Sequence, residues 1–122
     1  MSEKNHQDLK EENPSGEVFN RPALLARIGG RQEMIPGFVA LFTETIDKYL
    51  PGLEEAITTG NLQAVRKIVH TLKGMAGNIS AERVQALALR METMAESGDV
   101  NGLRRIMAKL NEELGLFRSA VA

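Results

Sequence analysis

From Val18 onward, apolar side chains recur at alternating steps of three and four residues, and this periodicity admits helices packed on helices and little else. The clearest run is Leu62, Val65, Val69, Leu72, Ala76 and Ile79, where the alternation never breaks. A second run, Leu103, Ile106, Leu110, Leu114 and Phe117, repeats it near the end of the chain. No stretch alternates apolar and polar residues as a half-buried strand would, and no segment repeats another.

Glycine, proline and capping residues divide the pattern into elements. Phe19, Leu24, Leu25 and Ile28 suggest a short first helix, with Pro22 tolerated in its first turn and Gly29-Gly30 as its stop. A long second helix is expected from about Arg31 to Thr59, carrying Ile35, Phe38, Phe42, Ile46, Tyr49 or Leu50, Leu53 and Ile57 inward. Pro51 falls inside it. Proline there removes a backbone hydrogen bond and crowds the preceding turn, so the helix should bend or divide near Leu50. Gly60-Asn61 reads as a stop and an N-cap for the third helix. Ser80 is a candidate cap for a fourth, with Val84, Leu87, Met91 and Ala95 inward until Gly98, and Asp99 caps a fifth. Loops as short as Thr59-Gly60-Asn61 and Ser97-Gly98-Asp99 force neighbouring helices to run antiparallel. The expected fold is therefore all-α: an antiparallel up-and-down four-helix bundle with a short extra N-terminal helix, spanning residues 18–122. Residues 1–17 hold almost no large apolar side chains and include Asn13-Pro14-Ser15-Gly16, which predicts a flexible leader.

Composition narrows the function. The 122 residues suit one domain, and 43% hydrophobic against 25% charged is ordinary for a protein with a real core. Cysteine is absent, which excludes disulfide stapling, a thiolate nucleophile and sulfur-bound zinc. The longest charge-free stretches, such as Met34 to Thr43, fall far short of the ~20 apolar residues that span a bilayer. The polar start Met1-Ser2-Glu3-Lys4-Asn5-His6 lacks the basic and apolar regions of an export signal, so the expected location is cytoplasmic. With His6 in the leader and His70 as the other histidine, no pair on one helix can hold a metal. Phosphate-binding loops of the known motifs and a nucleophile elbow are missing. The five aromatics sit at core positions without interleaved basic residues, and net charge is −1, so nucleic acid is not an expected partner.

Charge is unevenly distributed. The leader carries −3 and the body +2, and no acid lies between Glu55 and Glu82, where Arg66, Lys67 and Lys73 all fall. Taken alone, this gap reads equally as a solvated helix face or as a surface for an acidic partner. His70 is at its centre. At about 100° per residue, the core stripe through Val69 and Leu72 turns His70 roughly 130° away from the bundle interior, so the imidazole faces water. His70, Lys73, Gly74 and Gly77 then follow i, i+3, i+4 and i+7 and form one outward stripe. Glycine costs about 1 kcal/mol against alanine inside a helix, so two on an exposed face suggest a bare surface that lets a partner come close. Asn78 borders the stripe. A free imidazole titrates near 6.5 and at cellular pH offers an unprotonated ring nitrogen as nucleophile. Phosphoryl transfer asks for in-line geometry and charge neutralisation, and Lys73, one turn on, can supply charge to incoming oxygens. A lone exposed histidine with no function is the plain alternative; the adjacent lysine, glycines and missing acids weigh against it.

The segment His70, Lys73, Gly74, Gly77 resembles the His-x-x-Lys-Gly-x-x-Gly-x-x-Gly pattern of histidine-containing phosphotransfer (HPt) domains, with Ser80 in place of the last glycine. The likeness extends over residues 18–118, beginning with the entry segment Val18 to Gly30. It implies a phosphoryl shuttle. A response-regulator receiver, or a hybrid histidine kinase bearing one, docks on the helix of His70, and phosphate moves between a receiver aspartate and the imidazole Nε2. The implied roles are His70 as acceptor, Lys73 as phosphate charge stabiliser, and Arg66, Lys67, Gly74, Gly77 and Asn78 as partner-binding residues. No cofactor belongs to this chain on that view; magnesium is expected on the receiver. The chain would be a monomeric carrier without its own catalytic base or nucleotide site. Two alternatives remain at this level: a helical adaptor in which His70 is incidental, and a phosphodomain cut from a chemotaxis-type histidine kinase. Met75 and Leu89 fit core and interface equally.

Overall fold

The structure, a computed structural model, describes residues 14–122. Among these residues there are five α-helices, one 3-10 turn and no strand. Helix α1 (Arg21–Arg27) opens where the Asn20 side chain accepts a hydrogen bond from the Ala23 amide, with Pro22 in its first turn, and closes before Gly29 and Gly30. Both glycines have positive φ, 68° and 75°, a left-handed conformation that side chains rarely adopt.

The second helix starts later than the periodicity suggests. Residues Gln32–Met34 form a 3-10 turn, and α2 runs over Ile35–Thr59. Pro36 explains the delay, because its ring would collide with the carbonyl of residue 32 if the α-helix extended further upstream. Pro51 lies within α2, which continues as one helix rather than dividing. It is exposed, so the carbonyl it leaves without a helical partner is on the side that water reaches.

Helix α3 (Leu62–Ile79) is capped by Asn61, whose side chain accepts from the Ala64 amide at 3.2 Å. Its other end corrects the expected role of Ser80. Ser80 has φ 62° and is the left-handed C-cap of α3, while α4 (Glu82–Ser97) starts from Ala81 with no side-chain cap. The glycine of the HPt pattern at this place is thus accounted for, since glycine takes that conformation without steric cost. Ser80 is 2% exposed and its hydroxyl has no partner, so it caps α3 through its backbone alone and its side chain caps neither helix. Gly98 closes α4, and Asp99 caps α5 (Val100–Val121) by accepting from the Gly102 amide at 2.8 Å.

Each long helix packs on the next in sequence, and α2 also meets α5. The core between them contains nearly every residue of the apolar stripes: Phe42, Ile46, Leu53 and Ile57; Val65, Val69, Leu72 and Ala76; Leu87 and Met91; Leu103, Leu110 and Phe117. Phe117 is wholly buried, edge-on to Phe19 and Phe42 with centroids 5.6 and 5.1 Å away. Phe38 departs from expectation, at 37% exposed, and of Tyr49 and Leu50 it is Leu50 that packs against the core. A charge also lies where periodicity places only apolar groups. Glu113 on α5 is fully buried, bonded to the Arg83 guanidinium of α4 at 2.6 Å, with Lys109 at 3.8 Å.

The expected flexible leader, residues 1–17, falls mostly outside the described residues. Its last part, 14–17, is tied to the body. The Glu17 carbonyl accepts from the Arg83 amide at 3.1 Å and its amide donates to Glu82 at 2.9 Å, while Pro14 is buried. The Asn20 amide donates to the Ser80 carbonyl at 2.9 Å and its side-chain nitrogen to Glu82 at 2.8 Å. These bonds satisfy the backbone that low hydrophobicity left unaccounted for.

Candidate functional site

Core residues Val69 and Leu72 fix the rotation of α3 and so turn His70 outward; its side chain is 69% exposed. The ring is nevertheless held. Nδ1 lies 2.8 Å from Oε2 of Glu92 on α4, and Glu92 Oε1 accepts from Lys73 Nζ at 2.6 Å. One carboxylate therefore bridges two residues of the outward stripe. The Lys73 ammonium first, and the His70 ring second, hold the Glu92 carboxyl below the usual carboxylate range. Glu92 is thus ionised at neutral pH and can only accept hydrogen bonds, so the proton between it and His70 belongs to Nδ1. In the neutral ring this leaves Nε2 with a free lone pair facing solvent.

Glu92 was not legible as a site residue. The apparent absence of acids around His70 holds along the sequence but not in space. A signal existed in the hairpin: His70 and Glu92 lie equally far on either side of Ala81, and residues equidistant from a tight turn between antiparallel helices face each other. Glu82 and Glu96 also stand on α4, so apolar periodicity alone gave no reason to select one carboxylate.

The two glycines of the stripe differ. At Gly74 an added Cβ would meet nothing within 4 Å, so bare backbone is open beside His70. At Gly77 a Cβ would lie 2.7 Å from the Gln85 Nε2 of α4. The expectation that both glycines form a bare surface is therefore corrected for Gly77, over which the flexible Gln85 amide is laid. The Gly77 carbonyl also accepts from the Arg27 guanidinium, which fastens α1 to α3.

Arg66 and Lys67 are exposed one turn before His70, and Asn78 is exposed one turn after Gly74. With Gln63, Thr71 and Glu92, the two cations and His70 line one open concavity of about 640 Å³. Asn78 belongs elsewhere. It edges a more apolar groove of about 360 Å³ between α1, α2 and α3, whose walls include Leu24, Ile28, Phe38, Leu41 and Met75. Leu41, 62% exposed, and Phe38 give this groove its apolar surface. Met75 is half-buried in its wall, whereas Leu89 on α4 is 53% exposed.

An outward imidazole with one nitrogen fixed and the other free, on a helix with open backbone beside it, can act as a nucleophile toward a group that a docked partner brings. The chain belongs to the Hpt domain family, whose model matches residues 37–120. Its function class is accordingly histidine phosphotransfer within two-component phosphorelays, as a phosphocarrier working with response regulators or histidine kinases. In fold it is similar to the crystal structure of histidine-containing phosphotransfer protein B (HptB) from Pseudomonas aeruginosa PAO1, with a TM-score of 0.78 at 20% identity over 87% of this chain and 92% of that one. No curated protein matches the chain in sequence. No helix among the described residues is long and apolar enough to cross a membrane.

Proposed function

We propose that His70 accepts and donates the phosphoryl group through Nε2, and that Glu92 is its positioning residue. The observation that carries this reading is the Nδ1 contact to an ionised Glu92, which selects the nucleophilic tautomer without burying the ring. Glu92 also opposes the positive charge that grows on the ring as Nε2 bonds to phosphorus. Lys73 keeps Glu92 in place and, one helical turn from His70, is the residue assigned to supply charge to the phosphoryl oxygens.

The four long helices are read as an antiparallel up-and-down bundle with α1 as the short extra element. This scaffold presents α3 to a receiver. Open backbone at Gly74 permits close approach; Arg66 and Lys67 suit the receiver's acidic, magnesium-binding centre; Asn78 and the apolar groove extend the contact along α3. Gly77 takes part through the shape it allows between α3 and Gln85. The chain supplies a positioned side chain, while the metal and the chemistry of the aspartyl phosphate belong to the receiver. It acts as a monomer in the cytoplasm, without a catalytic base, nucleotide site or nucleic-acid partner of its own.

The deciding experiment incubates the protein with a phosphorylated receiver and magnesium and follows acid-labile, alkali-stable label. Wild type should take it up and His70→Gln should not. Label persisting in His70→Gln would remove His70 from the mechanism.

A further inference from the structure

Phosphorylation brings negative charge to a point where Lys73 is already engaged. Lys73 Nζ is bonded to Glu92 at 2.6 Å and is not part of the concavity beside His70. Arg66 and Lys67 are in its wall, and neither makes an ion pair or a side-chain hydrogen bond among the described residues. Helical side chains lean toward the N-terminus, so the His70 ring overlies the turn that bears these two cations. On the helical wheel Arg66 and Lys67 fall roughly 40° and 60° to opposite sides of His70, so they bracket it. With Nδ1 committed to Glu92, Nε2 is the ring nitrogen left to carry a group, and the ring shares its concavity with this uncommitted positive pair.

We propose that Arg66 and Lys67 bind the phosphoryl group on His70 itself, and thereby set how fully the protein is loaded and how long its phosphohistidine lasts. This rests on His70 being the acceptor and goes beyond a part in docking the receiver. In the loading step the Nε2 lone pair forms the N–P bond while the bond from phosphorus to the donor's leaving atom breaks, the leaving group keeping that electron pair. The ring gains one positive charge, shared with Nδ1–H and faced by Glu92. The phosphoryl oxygens retain their negative charge and are met by the Arg66 fork and the Lys67 ammonium.

The test omits the receiver, so docking cannot contribute. The intact protein is loaded with phosphoramidate, a small phosphoryl donor; the donor is then removed and phosphohistidine decay is followed by phosphorus NMR. Arg66→Ala and Lys67→Ala should each shorten the lifetime roughly threefold and the double variant about tenfold, while the exchange Arg66→Lys with Lys67→Arg retains most of it. The phosphoryl group should also titrate at higher pH in the double alanine variant, a change that a purely structural role would not produce. Arg104→Ala with Arg105→Ala, removing equal charge from exposed positions on α5, should behave as wild type. If the double variant at 66 and 67 loads, titrates and decays as wild type does, the proposal is overturned while His70 stands as acceptor. If wild type takes no label at His70, both fall.

Discussion

At the scale of single residues, the site is one carboxylate shared by two neighbours. Glu92 fixes the tautomer of His70 and occupies Lys73, so its removal should affect both. In Glu92→Gln the Nδ1 contact loses its charge, and phosphotransfer is expected to slow about tenfold, the order of a charge-assisted hydrogen bond. Nitrogen NMR of the ring should show the Nδ1–H form giving way to a mixture, and an unchanged tautomer would show that Glu92 does not position it. Gly74 tests the opposite kind of contribution. Because nothing lies within 4 Å of its missing side chain, Gly74→Leu should leave the fold intact or stabilise it by up to about 1 kcal/mol, while transfer slows through obstruction. Thermal unfolding and transfer kinetics on the same variant separate the two effects.

At the scale of elements, the segment before α1 and the turn between α3 and α4 hold each other through Glu82. The Glu17 amide first, and the Asn20 side chain second, hold the Glu82 carboxyl below the usual carboxylate range. A carboxyl lowered in the folded state contributes its full stabilisation above its unfolded value and loses it as pH falls through the lowered one. Acid should therefore loosen this strap, seen as rising hydrogen exchange at the Glu17 and Arg83 amides, and Glu82→Gln should flatten that dependence. The α4–α5 interface depends on Arg83 differently. Arg83→Ala would leave the wholly buried Glu113 with only Lys109 at 3.8 Å, and should cost about 3 kcal/mol in denaturant unfolding. A loss under 1 kcal/mol would mean that Lys109 or water takes over the carboxylate.

For the whole molecule, a net charge of −1 conceals a basic face on α3, so attraction to an acidic receiver should be local and should weaken with salt over a Debye length of about 10 Å. The apolar groove adds a contribution less dependent on salt: Leu41→Glu should weaken receiver binding by titration calorimetry while leaving receiver-free phosphorylation of His70 unchanged. Reduced receiver-free phosphorylation would mean that Leu41 acts on the site and not on docking. Helix number, order and most of the core were determined by the sequence alone, because steps of three and four residues, closed by Gly60, Gly98 and their following caps, are local instructions. The outward direction of His70 came with them, since one stripe of buried residues fixes where every other side chain on the same helix points. Contacts between helices were decided only by the tertiary structure: Glu92 at His70, Gln85 over Gly77, Glu113 against Arg83, and the groove that leaves Phe38 exposed. Each depends on how two helices are rotated and aligned against each other, and periodicity within one helix carries no information about its neighbour's register.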